Sequence, residues 1–101
     1  MILFNETVSI DNAVAAEWLE WMKETHIPEV MATTYFVNYQ IAKVMEDEDT
    51  GGTTFAVQYF ARHLTDLQEY HRDHDKNMQA KMQARYPGKY AAFRTVLEVV
   101  G

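Results

Sequence analysis

The chain predicts an α+β fold whose elements run strand, helix, strand, strand, helix, strand. Three observations carry that prediction. Apolar and polar residues alternate with period two at the start of the chain and in three later segments. Two intervening segments fit a 3.6-residue period. The breaks between segments fall at Pro28, at the Gly51-Gly52 pair and at Pro87-Gly88. With 101 residues there is room for one domain, over 1–101.

Residues 1–10 set Ile2, Phe4, Val8 and Ile10 on one face and Leu3, Asn5, Thr7 and Ser9 on the other, as a half-buried strand does. Glu6 interrupts the apolar face. Asp11 is expected to cap a helix over 12–25, because its carboxylate can accept from the exposed N–H groups of a first turn. Val14, Trp18, Trp21, Met22 and Thr25 make the buried stripe of that helix. It is expected to stop near His26 and Ile27, since proline disfavours helical geometry in the residue before it, and 29–33 then reads as a turn.

The segment 34–45 reads as the second strand, with Tyr35, Val37, Tyr39 and Ile41 opposed to Phe36, Asn38, Gln40 and Ala42. A polar hairpin loop over 46–52 leads into the third strand, 53–61, where Phe55, Val57 and Tyr59 oppose Ala56, Gln58 and Phe60. The second helix, 65–85, has Thr65 or Asp66 as its expected cap and ends before Pro87-Gly88. The last strand, 90–100, sets Ala91, Phe93, Thr95, Leu97 and Val99 against Tyr90, Ala92, Arg94, Val96 and Glu98. Right-handed crossovers then give a four-stranded antiparallel sheet with both helices on one face, the ferredoxin-like arrangement.

Composition narrows the function classes. A net charge of −6 with no basic stripe argues against nucleic acid and anionic membranes as partners. The absence of cysteine excludes disulfides, thiolate catalysis and cysteine-ligated zinc. No apolar stretch is long enough to span a bilayer, and the N-terminus turns acidic by Glu6, so a soluble cytoplasmic protein is expected. A chain this short buries only roughly 60–65% of its unfolded surface, which makes an oligomer interface a useful supplement.

The helix-free face of the sheet is the informative region. Leu3, Asn5 and Thr7, with Gln58, Phe60, Arg94, Val96 and Glu98, are expected there. So mixed a face is a poor solvent surface and a poor dry core, which marks it as an interaction surface. Two copies packed through it would form a dimeric α+β barrel, with polar groups lining the space left between them. An ordinary solvated face is the alternative.

The block Glu17-Trp-Leu-Glu-Trp-Met-Lys-Glu-Thr-His-Ile-Pro-Glu-Val-Met-Ala-Thr, the segment Ala56-Val-Gln-Tyr-Phe and the terminal Lys89-Tyr-Ala-Ala-Phe-Arg-Thr-Val-Leu-Glu resemble the bacterial domain of unknown function 4286. The resemblance covers essentially the whole chain. It implies a ferredoxin-like or dimeric α+β barrel fold. It implies no activity and supplies no catalytic residues.

Asn5, Gln58 and Arg94 form one candidate ligand-binding set. An arginine with two amides could hold a carboxylate or enolate oxygen, and polar glue within the dimer is the competing role. His26 is a candidate base or ligand donor near neutral pH, set against simple capping of a helix C-terminus. His71 and His74, three residues apart on a helix, have chelating spacing, but Asp66 and Asp75 fall off their stripe, so no metal site is expected and semi-buried structural roles compete. Trp18, Trp21 and Met22 read as core. The acidic run 46–49 lacks the ligand spacing of a calcium loop and reads as a solvated tip. No cofactor is called for.

Nothing in these residues fixes a reaction. The reading put first is a small molecule held between the sheet faces of a homodimer. Fold-level analogy offers a cofactor-free or haem-directed monooxygenase or a small-substrate isomerase, and a structural dimerisation domain without ligand is the third reading.

Overall fold

The computed structural model describes residues 1–45 and 51–101. Strands β1 (Ile2–Asp11), β2 (Asn38–Lys43), β3 (Gly52–Ala61) and β4 (Tyr90–Glu98) form one sheet in the order β2-β3-β1-β4, every neighbouring pair antiparallel. Two long helices cross it, α1 over 15–32 and α2 over 64–85. This is the ferredoxin-like α+β arrangement that the periodicity predicts.

The core lies between the helices and one sheet face. Phe4, Val8 and Ile10 of β1 and Phe55, Val57 and Tyr59 of β3 meet Trp18, Met22, Ile27 and Val30 of α1 and Leu67, Tyr70, Met78 and Met82 of α2. Phe4, Phe36 and Tyr59 pack ring on ring, with centroids 5.1–6.4 Å apart. The central strands β1 and β3 carry the apolar inner face, whereas edge strand β4 is largely exposed along its length.

Both helices contain a π-helical turn, and these turns change which residues are buried. In α1, Ala15–Trp21 is followed by the wide turn Met22–His26 and then by Ile27–Ala32. The helix therefore does not end near His26. The wider turn gives the Pro28 ring room and accommodates its missing N–H, so the chain stays helical for six further residues. The inserted residue also rotates the buried stripe. Thr25, expected inside, is exposed, and His26 takes its place in the interior. In α2 the turn His71–Asp75 separates Leu64–Tyr70 from Lys76–Arg85. Burial steps from Tyr70 to Asp75, so Asp75, expected off the stripe, lies inside.

The expected caps differ as well. Asp11 remains in β1, paired with Gly52, and its Oδ1 accepts from the Ala13 N–H at 2.8 Å, so it closes a short turn before a helix that begins at Ala15. His63, not Thr65 or Asp66, precedes α2, and no side chain caps it. The second strand is shorter than expected because α1 runs on to Ala32 and Thr34 then turns the chain at φ 70°. The acidic run 46–49 lies outside the described residues.

Candidate functional site

Strand register divides three of the residues expected to bind ligand, Asn5, Gln58 and Arg94, between two faces. β1 pairs Asn5 with Gln58 and with Thr95, and it pairs Glu6 with Arg94. Arg94 therefore shares the helix-facing side with Glu6, and so do Val96 and Glu98. Their expected place on the open face is corrected: the antiparallel register sets even positions of β4 opposite even positions of β1. Ala91, Phe93, Thr95 and Leu97 occupy the open face instead.

On the open face, side chains form a directional row. Gln40 Nε2 donates to Gln58 Oε1 at 3.0 Å, Gln58 Nε2 to Asn5 Oδ1 at 3.3 Å, and Asn5 Nδ2 to Thr7 Oγ1 at 3.0 Å. Around this row stand apolar groups, among them Phe93, 64% exposed, and Leu97, 42% exposed.

Across the sheet, Arg94 reaches under α2. Its Nη1 and Nη2 donate to Asp75 Oδ2 and Oδ1 at 2.8 and 2.7 Å, a two-pronged pairing that fixes both planes. Gln79 Nε2, one helical turn on, donates to Asp75 Oδ2 at 2.7 Å. The guanidinium carbon lies 5.1 Å over the Phe4 ring, and Nη2 stands 3.7 Å from Glu6 Oε1. Beside this cluster opens a cavity of about 350 Å³ between α1, α2 and β4. Glu6, Asp75, Gln79 and Arg94 form its polar wall. His26, Tyr70, Met78, Met82, Tyr90, Ala92 and Phe93 complete the lining.

Environment sets the charge states here. Burial raises the Glu6 carboxyl above the ordinary glutamate value; Arg94 opposes that shift and Asp75 adds to it. Burial pushes Asp75 the same way, but the Arg94 and Gln79 hydrogen bonds outweigh it and hold that carboxyl below its ordinary value. Burial also works against the Arg94 charge, and the Asp75 hydrogen bonds overcome it and raise Arg94. His26 is 5% exposed, and its pKa is lowered to about 4, chiefly by burial, with Glu29 opposing and Lys81 adding to the shift. It is a neutral imidazole at pH 7, lying against Trp21 with centroids 4.7 Å apart and the rings tilted by 32°, and its buried Nδ1 has no partner among the described residues.

His71 and His74, the other histidines expected at a site, do not line the cavity. His71 packs edge-on against Phe4 at 5.0 Å, with a buried Nε2 unpartnered among the described residues, and His74 lies against Tyr35 and Tyr70. Among the described residues no three His, Asp or Glu side chains are grouped to hold a metal ion. The structure thus brings His26 and Arg94 to one cavity and leaves Asn5 and Gln58 on the opposite face. Sequence reasoning missed Glu6, Asp75 and Gln79 as site residues. Glu6 had a signal, a carboxylate on an apolar strand face. Asp75 had none, because only the π turn brings it inside.

Several solved structures share this fold at low identity. HapK from Hahella chejuensis superposes with a TM-score of 0.71 at 10% identity, covering 100% of this chain and 94% of that one. A dimeric ferredoxin-like protein from an uncultured marine organism gives 0.71 at 12%, covering 100% and 96%. A protein described as an antibiotic biosynthesis monooxygenase gives 0.67 at 12%, covering 100% of both chains. At such identities the likeness is one of fold. No curated protein matches the chain. The model of a domain of unknown function, DUF4286, matches residues 1–100, and the chain belongs to that family.

Proposed function

We propose that this protein binds a small organic molecule in the cavity beneath α2 and works as a homodimer joined through its open sheet face. The observation that carries the reading is the cavity itself. It has the size of a small ligand site, and its wall mixes apolar side chains with the convergent polar groups Glu6, His26, Asp75, Gln79 and Arg94. The sequence reading put the ligand between the sheet faces of the dimer. The helix-side cavity is favoured because it is walled by one chain, whereas the amide row on the open face already bonds to itself.

The test is a thermal-shift screen of a metabolite collection. A ligand of the native state raises Tm by mass action. The shift should disappear in Ala92→Trp, which fills the cavity from β4. A screen with no shift, or shifts that survive this substitution, would refute the reading.

An enzymatic reading draws on the monooxygenase among the structural neighbours. The His26 imidazole in the cavity wall is the group this reading would use, to orient a substrate rather than to take its proton, since its pKa is lowered to about 4. Oxygen uptake on adding a ligand found in the screen, abolished in His26→Phe, would support it; binding without turnover would leave a binding protein. Haem titration separates the haem-directed branch through its absorption band. On this reading the protein acts in the cytoplasm without nucleic acid or membrane as partner; among the described residues no helix is long and apolar enough to cross a membrane.

A further inference from the structure

We infer that the occupant of the helix-side cavity is an organic cation, a protonated amine on a compact apolar or aromatic body, with the Glu6 carboxylate as its counter-ion. The inference rests on the proposed binding role of that cavity and adds the charge of the ligand.

Charge bookkeeping in the cavity wall leads to this class. Two carboxylates, Glu6 and Asp75, face one guanidinium, Arg94. Both Asp75 oxygens are taken, one by Arg94 and the other by Arg94 and Gln79 together. Arg94 is committed in turn, bonded twice to Asp75 and seated over Phe4. Glu6 has only the 3.7 Å approach of Arg94 Nη2 and accepts no side-chain hydrogen bond among the described residues, although its side chain is only 20% exposed. With Glu6 ionised the site is short of one positive charge, and the nearest cation stands 3.7 Å from it.

Each ligand class meets this wall differently. An anion would have to displace Asp75 from a doubly bonded guanidinium and would face Glu6 as well. A neutral molecule would leave Glu6 with no closer cation than Arg94 at 3.7 Å. An ammonium group would restore the balance. Tyr70 and Tyr90 also line the cavity, and aromatic rings attract cations. The net charge of −6 draws cations toward the whole molecule.

A proton linkage follows. Tyr59 of β3, Tyr70 of α2 and Tyr90 of β4 also face Glu6, and burial raises all three phenols, keeping them neutral at pH 7. The charges that act on Glu6 are therefore Arg94 and Asp75. A bound cation would favour the ionised carboxylate and bring its raised pKa back down, releasing a proton.

The experiment compares benzylamine, benzyl alcohol and benzoate on the full chain by calorimetry and thermal shift, with Glu6→Gln and Ala92→Trp beside the native protein. Benzylamine should bind about tenfold tighter than benzyl alcohol, and benzoate weakest. Its binding should strengthen as pH rises through the raised Glu6 value, with a heat that varies with the buffer used. Glu6→Gln should weaken benzylamine about tenfold and so abolish its preference over benzyl alcohol. If that variant fails to fold, the three-ligand comparison on the native protein decides. Benzoate or benzyl alcohol binding as tightly as benzylamine, and lost in Ala92→Trp, overturns the cation inference and leaves the cavity as a binding site. No binding of any of the three, or binding that persists in Ala92→Trp, overturns both.

Discussion

His26 and the Asp75–Arg94 pair make opposite demands on their surroundings, and both demands can be measured. His26 is buried neutral, with its pKa lowered from 6.5 to about 4. Below the ordinary value the unfolded chain takes up a proton that the folded chain refuses, so stability present at neutral pH is lost as pH falls from 6.5 toward 4. The full effect is about 3 kcal/mol. Glu6 works the other way: its raised carboxyl favours the folded state at low pH and costs stability as pH rises through the raised value. Urea unfolding of native protein and His26→Gln across this range should show a shallower acid decline in the variant; parallel curves would assign the decline to other groups. At the ion pair, Arg94→Met should cost about 2–4 kcal/mol, because it strands two carboxylates, while Asp75→Leu combined with Arg94→Met should cost less than the sum of the two changes. A double-mutant cycle by urea unfolding reads this directly.

At the scale of elements, the two π turns do the same thing in different helices. Each inserts one residue into the helical period, and each ends on a polar side chain that becomes buried, His26 in α1 and Asp75 in α2. Wide turns of this kind weaken local hydrogen bonding and are found mostly where function requires them. The exit from α1 carries a separate cost. Thr34 is exposed and sits at φ 70°, where its β-branched side chain is strained. Thr34→Gly should therefore stabilise the fold by about 0.5–1 kcal/mol, the relief of strain exceeding the added freedom of the unfolded chain. A higher urea midpoint with unchanged slope would confirm it, and a lower midpoint would count against strain there.

For the whole molecule, the decisive feature is the uncovered sheet face. Phe93 and Leu97 stand exposed beside the hydrogen-bonded row from Gln40 to Thr7. A chain of 101 residues has little core to spare, and pairing such faces would bury apolar surface that the helices leave open. Sedimentation of the native chain at micromolar concentration should show a dimer. Phe93→Glu with Leu97→Glu should give a folded monomer, checked by circular dichroism, because neither side chain belongs to the core behind the sheet. A native monomer would remove the dimer from the proposed function.

The βαββαβ order was legible in the sequence because local periodicity records it. Phe4, Val8 and Ile10 alternate with polar neighbours, and Trp18, Met22, Leu67 and Tyr70 recur at helical spacing, so a one-dimensional pattern was enough to find the elements and most of the core. His26 was found as a residue type, since a histidine two residues before a proline stands out in any reading. Its burial was not found, and neither was the place of Asp75. Both depend on a π turn, which shifts a helix face by one residue and leaves no mark in composition. The partner of Arg94 was out of reach for a related reason. Which face of an edge strand looks inward depends on register against a strand more than eighty residues earlier, and both faces of β4 mix apolar with polar side chains. Sequence by itself determined which elements form and in what order, because those follow from neighbours along the chain. Tertiary structure alone decided that Glu6, His26, Asp75 and Arg94 share one cavity, because residues this far apart in the chain meet only when strand pairing and helix packing bring them together.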